Sequence, residues 1–150
     1  MKKIMVICAA FLFVFNANAQ QKLNPVKWNF EAVKKSDKQY DIIFTANVEA
    51  PWHIYSQFVK KGPVPTSIIF KKNALVQIKG AAREIGKLEK HFDKNFGAEI
   101  AYFSNKVQFV QTINLRAASK TSVSGEIEYM VCNDERCLPP TKIPFEVAIQ

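Results

Sequence analysis

The sequence is poor in the residues that most hydrolytic and nucleotide-dependent enzymes need. Its 150 residues include only five glycines, two histidines and three cysteines. With so few glycines the chain has no glycine-rich loop of the kind that cradles phosphates, and its two histidines complete no Ser/His/Asp arrangement. Paired-carboxylate motifs are absent as well. These absences argue against hydrolase and nucleotide chemistry.

Long hydrophobic runs are missing except at the N-terminus. The one such run, Ile4–Phe15, follows two lysines and leads into the small residues Ala17–Ala19. It holds about 12 residues, fewer than the roughly 20 that a membrane-spanning helix needs. A basic start, a short apolar run and a small-x-small end are typical of a secretory signal peptide. We therefore predict that residues 1–19 are a signal peptide and that 20–150 form an exported domain without a membrane span, an uncleaved anchor being the alternative.

Acidic residues are outnumbered, with 13 Asp and Glu against 21 Lys and Arg and a net charge of +8. The basic residues occur in separated pairs, such as Lys34-Lys35, Lys60-Lys61 and Lys71-Lys72, and no aromatic residues are interleaved with them. A nucleic-acid site would show a basic run or a basic stripe with aromatic residues. We therefore expect no nucleic-acid partner.

Apolar and polar residues alternate with a period of two in several segments, which indicates strands with one buried face. Seven or eight short strands, with turn signals between them and no alternation of strands and long helices, predict a single all-β domain, a two-sheet antiparallel β-sandwich. The predicted strands are Trp28–Ala32, Tyr40–Val48, Ser67–Phe70, Ala74–Ile78, Val107–Ile113, Val123–Val131 and Ile143–Ile149.

Two polar segments interrupt the strand pattern and are predicted to be loops. Lys60–Thr66 contains a glycine and two prolines, and Lys87–Gly97 is charged but carries the apolar side chains of Phe92 and Phe96. Apolar side chains on a polar loop need a surface to pack against.

Two cysteines remain once Cys8 is assigned to the signal peptide. Cys132 and Cys137 flank a four-residue polar segment between two predicted strands, close enough in sequence to be bridged. Either a structural disulfide or a reversible dithiol–disulfide couple fits an exported domain. Closing a loop of about six residues removes roughly 2 kcal/mol of unfolded-chain entropy, against about 4.7 kcal/mol for 100 residues. This small gain argues partly against a bridge kept for stability.

Zinc binding is a third use for the cysteines. Cys132, Cys137, His53 and His91 would together make a Cys₂His₂ set. However, the histidines lie in widely separated segments and no ligand-spacing motif joins them. We therefore expect neither a metal nor another cofactor.

The cysteine segment Tyr129-x-x-Cys132-x₄-Cys137-Leu138-Pro139-Pro140 resembles that of the N-terminal periplasmic domain of the thiol:disulfide interchange reductase DsbD. Two further stretches resemble this family in order and spacing. They are Trp52–Tyr55 followed by Pro63–Ser67, and His91–Gly97 leading into Glu99–Tyr102.

The resemblance implies an immunoglobulin-like sandwich in the periplasm. Such a domain passes electrons from a membrane-embedded thiol reductase to oxidised thiol proteins, including thioredoxin-like proteins, outside the cytoplasm. Since the chain shows neither the membrane domain nor the thioredoxin-like domain of full-length DsbD, we expect the donor to be a separate protein. The alternative function is a non-catalytic immunoglobulin-like binding module with a structural disulfide.

The resemblance also implies roles for individual residues. Cys137 would form mixed disulfides with partners, and Cys132 would resolve them. The segment His91–Gly97 would correspond to a cap loop whose aromatic residue shields the cysteines. The family's cap phenylalanine falls on or beside Asn95, which leaves Phe96 as the first candidate and Phe92 as the second. Separately, His53 and Tyr55 match positions that line the cysteine pocket.

Overall fold

The computed structural model describes residues 23–93 and 96–150, and the predicted signal peptide lies outside them. Within this part of the chain every regular element is a strand. The strands are β1 (Val26–Ser36), β2 (Gln39–Val48), β3 (His53–Tyr55), β4 (Ser67–Phe70), β5 (Val76–Asp93), β6 (Ala98–Leu115), β7 (Thr121–Tyr129), β8 (Val131–Cys132) and β9 (Thr141–Ile149). The described residues therefore include no helix that is long and apolar enough to cross a membrane.

The strands form two antiparallel sheets. The larger sheet has the order β1-β2-β6-β3-β8, and β5 pairs with β6 as well; the smaller sheet has the order β4-β7-β9. Strand β6 organises the larger sheet, because β5 follows it from Ala98 to Leu115 while β2 pairs with its second half and β3 with its first half.

The core lies between the two sheets and is built from the apolar side of each alternating strand. Phe44 of β2 and Phe145 of β9 meet across it with ring centroids 4.8 Å apart in an edge-to-face arrangement. Phe103 and Phe109 of β6 and Ile127 of β7 are also fully buried. Alternation therefore determines which face of each sheet is buried, and the predicted immunoglobulin-like β-sandwich is confirmed.

The prediction of a loop at Lys87–Gly97 is wrong for most of this segment. Strand β5 continues to Asp93 and forms a long hairpin with β6, so that only the turn, with Phe96 and Gly97, lies outside the strands. Both faces of this hairpin are partly exposed near its end, which allows polar residues at consecutive positions and hides the period of two. The other predicted loop, Lys60–Thr66, does lie between strands.

The predicted strand Val123–Val131 is divided at Met130. Its first part, β7, belongs to the smaller sheet, and its last residues, β8, belong to the larger one. The chain thus changes sheets immediately before Cys132, and this change places Cys132 beside β3.

Candidate functional site

Cys132 and Cys137 are joined by a disulfide, with Cα atoms 4.0 Å apart. The residues between them form a tight turn in which the Asn133 amide donates to the Arg136 carbonyl oxygen at 2.9 Å. The Asn133 side-chain oxygen also accepts from the amides of Glu135 and Arg136 at 3.0 and 2.8 Å. An asparagine that bonds to the backbone two or three residues ahead is a common turn-forming device. Local hydrogen bonds therefore hold the two cysteines face to face.

The two cysteines differ in accessibility. Cys132 is the last residue of β8 and is 2% exposed, whereas Cys137 lies beyond the turn and is exposed. A thiolate can attack another disulfide only where that disulfide can reach it. Cys137 is therefore the cysteine that a protein partner can approach.

The register of β3 places the cysteine pair on the face of the larger sheet that points away from the core. His53 is opposite both Cys132 of β8 and Ser104 of β6, and Tyr55 is opposite Tyr102. Neighbouring residues of a strand point to opposite faces. Ile54 accordingly points into the core and is fully buried, while His53, Tyr55 and Cys132 share the outer face.

Strand β5 extends this outer face. Glu89 is opposite Tyr102, and His91 is opposite Ile100. His91, Ile100 and Tyr102, together with the hairpin turn and the cysteine turn, surround a cavity of about 330 Å³. The cavity is lined by residues that include both cysteines, His53, Tyr55, Tyr102 and Phe96.

Five of the six residues predicted from the sequence meet at this cavity, and Phe92 does not. Phe92 is opposite Glu99, so strand alternation turns it to the other face from His91 and Asp93. Its side chain is 59% exposed. Phe96, in the turn, lines the cavity and is 40% exposed.

Phe96 packs against the predicted loop Lys60–Thr66. A Cβ atom added to Gly62 would lie 3.4 Å from Cγ of Phe96 and 2.8 Å from Cδ1 of Ile100. Gly62 also has a φ of 123°, which L side chains rarely adopt. Glycine therefore satisfies both the backbone conformation and the close approach of Phe96 at this position.

One wall of the cavity is formed by the rings of His53, Tyr55 and Tyr102. Their surroundings favour the uncharged forms of His53 and Tyr55. His53 Nε2 lies 3.2 Å from the Tyr55 hydroxyl, and the His53 ring centroid lies 4.6 Å from that of Tyr102. Burial lowers the pKa of His53, although the nearby carboxylates of Asp134 and Glu89 oppose this shift. Burial also raises the pKa of Tyr55 to about 12, and the charge of Asp93 acts in the same direction.

Sequence reasoning gave no site role to four other polar residues of this cavity: Asp93, Tyr102, Asn133 and Asp134. It named His91 only as a zinc candidate and as the start of the cap segment. The alternation of Glu89, His91 and Asp93 on one face would have indicated that His91 and Asp93 lie together if the segment had been recognised as a strand. The cavity brings both histidines near the cysteines, but the described residues contain no group of three or more His, Cys, Asp or Glu side chains able to hold a metal ion.

Comparisons with known proteins agree with this geometry. A family model described as thiol:disulfide interchange protein DsbD, N-terminal, matches residues 19–148. Two solved structures from Neisseria meningitidis are similar at 15% sequence identity. The DsbD N-terminal domain in complex with the PilB N-terminal domain has a TM-score of 0.53 over 85% of this chain and 88% of that chain. The reduced DsbD N-terminal domain has a TM-score of 0.48 over 88% and 94%. None of the curated proteins matches the chain.

Proposed function

The chain belongs to the family of DsbD N-terminal domains, and from this premise we propose that it exchanges electrons with other proteins through the Cys132–Cys137 couple. The observation that carries this function is the pairing of an exposed cysteine with a buried one at the edge of an open cavity. A bridge that served stability alone would not need one accessible sulfur or a cavity beside it.

The exchange has two steps. In the reduced protein, the Cys137 thiolate attacks the disulfide of an oxidised partner and forms a mixed disulfide with it. Cys132 then attacks the Cys137 sulfur, which restores the Cys132–Cys137 bridge and releases the partner as a dithiol. Two electrons thereby pass from this domain to the partner, and the reverse sequence reloads the domain from its donor.

We propose that the donor is a membrane-embedded thiol reductase and that the acceptors are thioredoxin-like proteins in the periplasm. The predicted signal peptide, residues 1–19, would direct export and would then be removed. The Neisseria relative forms a complex with the PilB N-terminal domain. Support for docking at the cysteine turn comes from its exposure, since Asp134, Glu135 and Arg136 are all exposed.

Phe96 is the proposed cap over the cysteines. It lines the cavity from the hairpin turn and lies close to Gly62 of the predicted loop Lys60–Thr66. An aromatic ring in this place would limit access of small oxidants to the reduced pair until a partner displaces it.

The first test is the reduction potential of the pair, measured in the purified domain with a defined thiol buffer and an alkylation readout. We expect a value between about −120 and −270 mV, the range of exchange-active pairs. A value well below about −300 mV would identify a structural bridge and would favour the alternative of a non-catalytic binding module.

A second test traps the partners. Cys132→Ala leaves Cys137 unable to release a mixed disulfide, so reductant-sensitive adducts should accumulate in the periplasm of cells that express it. Cys137→Ala is the matched control, because the remaining Cys132 is buried and should form few adducts. Equal amounts of adduct in the two variants would contradict the assignment of Cys137 as the attacking residue.

A further inference from the structure

The buried position of Cys132 creates a chemical requirement. Cys132 must become a thiolate in order to attack the mixed disulfide on Cys137. Burial in apolar surroundings raises the pKa of a thiol, and Cys132 packs with Tyr55 and Ile100 in a small apolar cluster. A proton acceptor close to Cys132 would therefore accelerate the second step of the exchange.

We propose that His53 accepts the proton of the Cys132 thiol when Cys132 resolves the mixed disulfide on Cys137. His53 can have this role only if the pair is an exchange couple, as proposed above. In the antiparallel ladder His53 is directly opposite Cys132, and both line the same cavity. Cβ atoms of such opposed residues lie about 4.5–5.5 Å apart, which brings an imidazole ring within reach of the sulfur.

The other candidate acceptors fit less well. His91 lies on β5, from which β6 and β3 separate Cys132. Asp134 is near Cys132 in sequence, but its side chain is exposed to solvent and it is not opposite Cys132 in the sheet. Asp93 is at the far end of β5, beside the hairpin turn. Among the residues that the structure describes, only His53 combines a suitable basicity with a place next to Cys132.

The surroundings of His53 suit a ring that is neutral at rest and briefly charged during the reaction. Burial favours the neutral ring, which is the form that can accept a proton. With the tautomer in which Nε2–H donates to the Tyr55 oxygen, 3.2 Å away, Nδ1 keeps a free lone pair. Once protonated, the ring would be stabilised by the face of Tyr102. The ionisable groups that face His53 are Tyr55 on its own strand, Tyr102 on β6, Glu89 and His91 on β5, and Cys132 and Asp134 from the cysteine turn.

The step balances as follows. The Cys132 S–H bond breaks and its proton moves to His53. The sulfur of Cys132 attacks the sulfur of Cys137, the bond between these two sulfurs forms, and the bond from Cys137 to the partner sulfur breaks. The partner leaves as a thiolate with the electron pair of that bond, and His53 returns its proton to this thiolate or to water.

The test uses the reduced domain and Ellman's reagent, an aromatic disulfide that releases a coloured thiolate at each step. Attack by Cys137 releases the first thiolate, and resolution by Cys132 releases the second, so stopped-flow absorbance separates the two rates. In His53→Gln we expect the second phase at pH 7 to slow by about 100-fold relative to the first, the usual effect of losing a general base.

The pH dependence distinguishes a base from a structural residue. In the unmodified domain the rate of the second phase should rise with pH as His53 loses its proton, below pH 6.5, and should then level off. In His53→Gln this rise should be absent. The rate of the second phase should approach that of the unmodified domain when the pH nears the pKa of the thiol. Added imidazole buffer should also restore this rate. An equal slowing at every pH, or an equal slowing in His91→Gln, would overturn the role of His53.

The same traces separate the two proposals. If the unmodified domain releases no second thiolate, the cysteines are not an exchange couple and the proposed function fails. If it releases both thiolates and His53→Gln does so at the same rates, the exchange function stands and the role of His53 is wrong.

Discussion

Cys132 and Cys137 are five residues apart in sequence and have very different surroundings. The difference follows from their backbone positions, because one ends a strand that pairs with β3 while the other follows an exposed turn. The proposed division of labour between an attacking and a resolving thiol would thus be determined by the fold, without any difference in the residue type.

At the residue scale, we expect Phe96→Ala to increase the rate at which the reduced pair is oxidised by glutathione disulfide. Phe96 lines the same cavity as both cysteines, and as the proposed cap it would close a path for small oxidants that its removal opens. The expected change is several-fold, measured by alkylation of the remaining thiols over time. Phe92→Ala is the matched control, because the same side chain is lost from the opposite face of the hairpin. Equal rates in Phe96→Ala and the unmodified domain would remove Phe96 from the cap role.

At the scale of elements, the segment that follows β3 is joined to β5 by hydrogen bonds of the Glu84 carboxylate and of the Gln57 side chain. Glu84 accepts hydrogen bonds from the Ser56 hydroxyl at 3.0 and 2.9 Å and from the Gln57 amide at 2.7 Å. The Gln57 side chain also donates to the Ala82 carbonyl oxygen at 2.7 Å. These bonds fix the end of β3, and with it the position of Tyr55 in the cavity.

We therefore expect Glu84→Ala to lower the free energy of unfolding by about 1–3 kcal/mol, because it leaves the buried Ser56 hydroxyl without its acceptor. Urea unfolding monitored by tryptophan fluorescence measures this change. The control is Glu49→Ala, which removes an exposed ion pair to Lys27 and should cost less than about 1 kcal/mol. Similar losses in both variants would show that the Glu84 contacts add nothing beyond a surface charge.

How far the sequence predicts these elements depends on what covers their faces. Tyr40–Val48 has one face in the core, so its alternation is plain and the strand is predicted almost to the residue. Most residues at the far end of β5 are exposed on both faces, so they carry no such pattern and a loop is predicted instead. The cysteines and the aromatic residues near them are recognisable from local motifs. Tyr102 and His91 join the cavity only through the register of β6 with its neighbours, which local sequence does not encode.

At the scale of the whole molecule, we expect the domain to stay folded in both redox states. The interior is supplied by two packed sheets, with large side chains such as Phe44, Phe109 and Phe145 buried between them. The disulfide joins cysteines with a sequence separation of only five, so most of the stability should remain after reduction. The carrier proposed above needs this arrangement, since both of its redox states must stay folded.

We expect reduction of the disulfide to lower the free energy of unfolding by about 2 kcal/mol, the entropy of closing so short a loop. Phe109→Ala, which empties part of the core, should cost about 3–5 kcal/mol. Urea unfolding of the oxidised and reduced forms provides the comparison. Loss of folded structure upon reduction alone would contradict the expectation that the domain stays folded in both redox states.

The crossing of the chain at Met130 has a consequence for how this family can change. Strands β7 and β9 are neighbours in the smaller sheet, and their facing ends, Tyr129 and Thr141, form a cross-strand pair. The whole cysteine segment is therefore an excursion that leaves one ladder and returns to it at the adjacent position. Because this pair fixes both ends of the segment, we expect changes at its exposed residues Asp134, Glu135 and Arg136 to leave the two strands in place. The surface that a partner would meet can in this sense be altered while the sandwich stays the same.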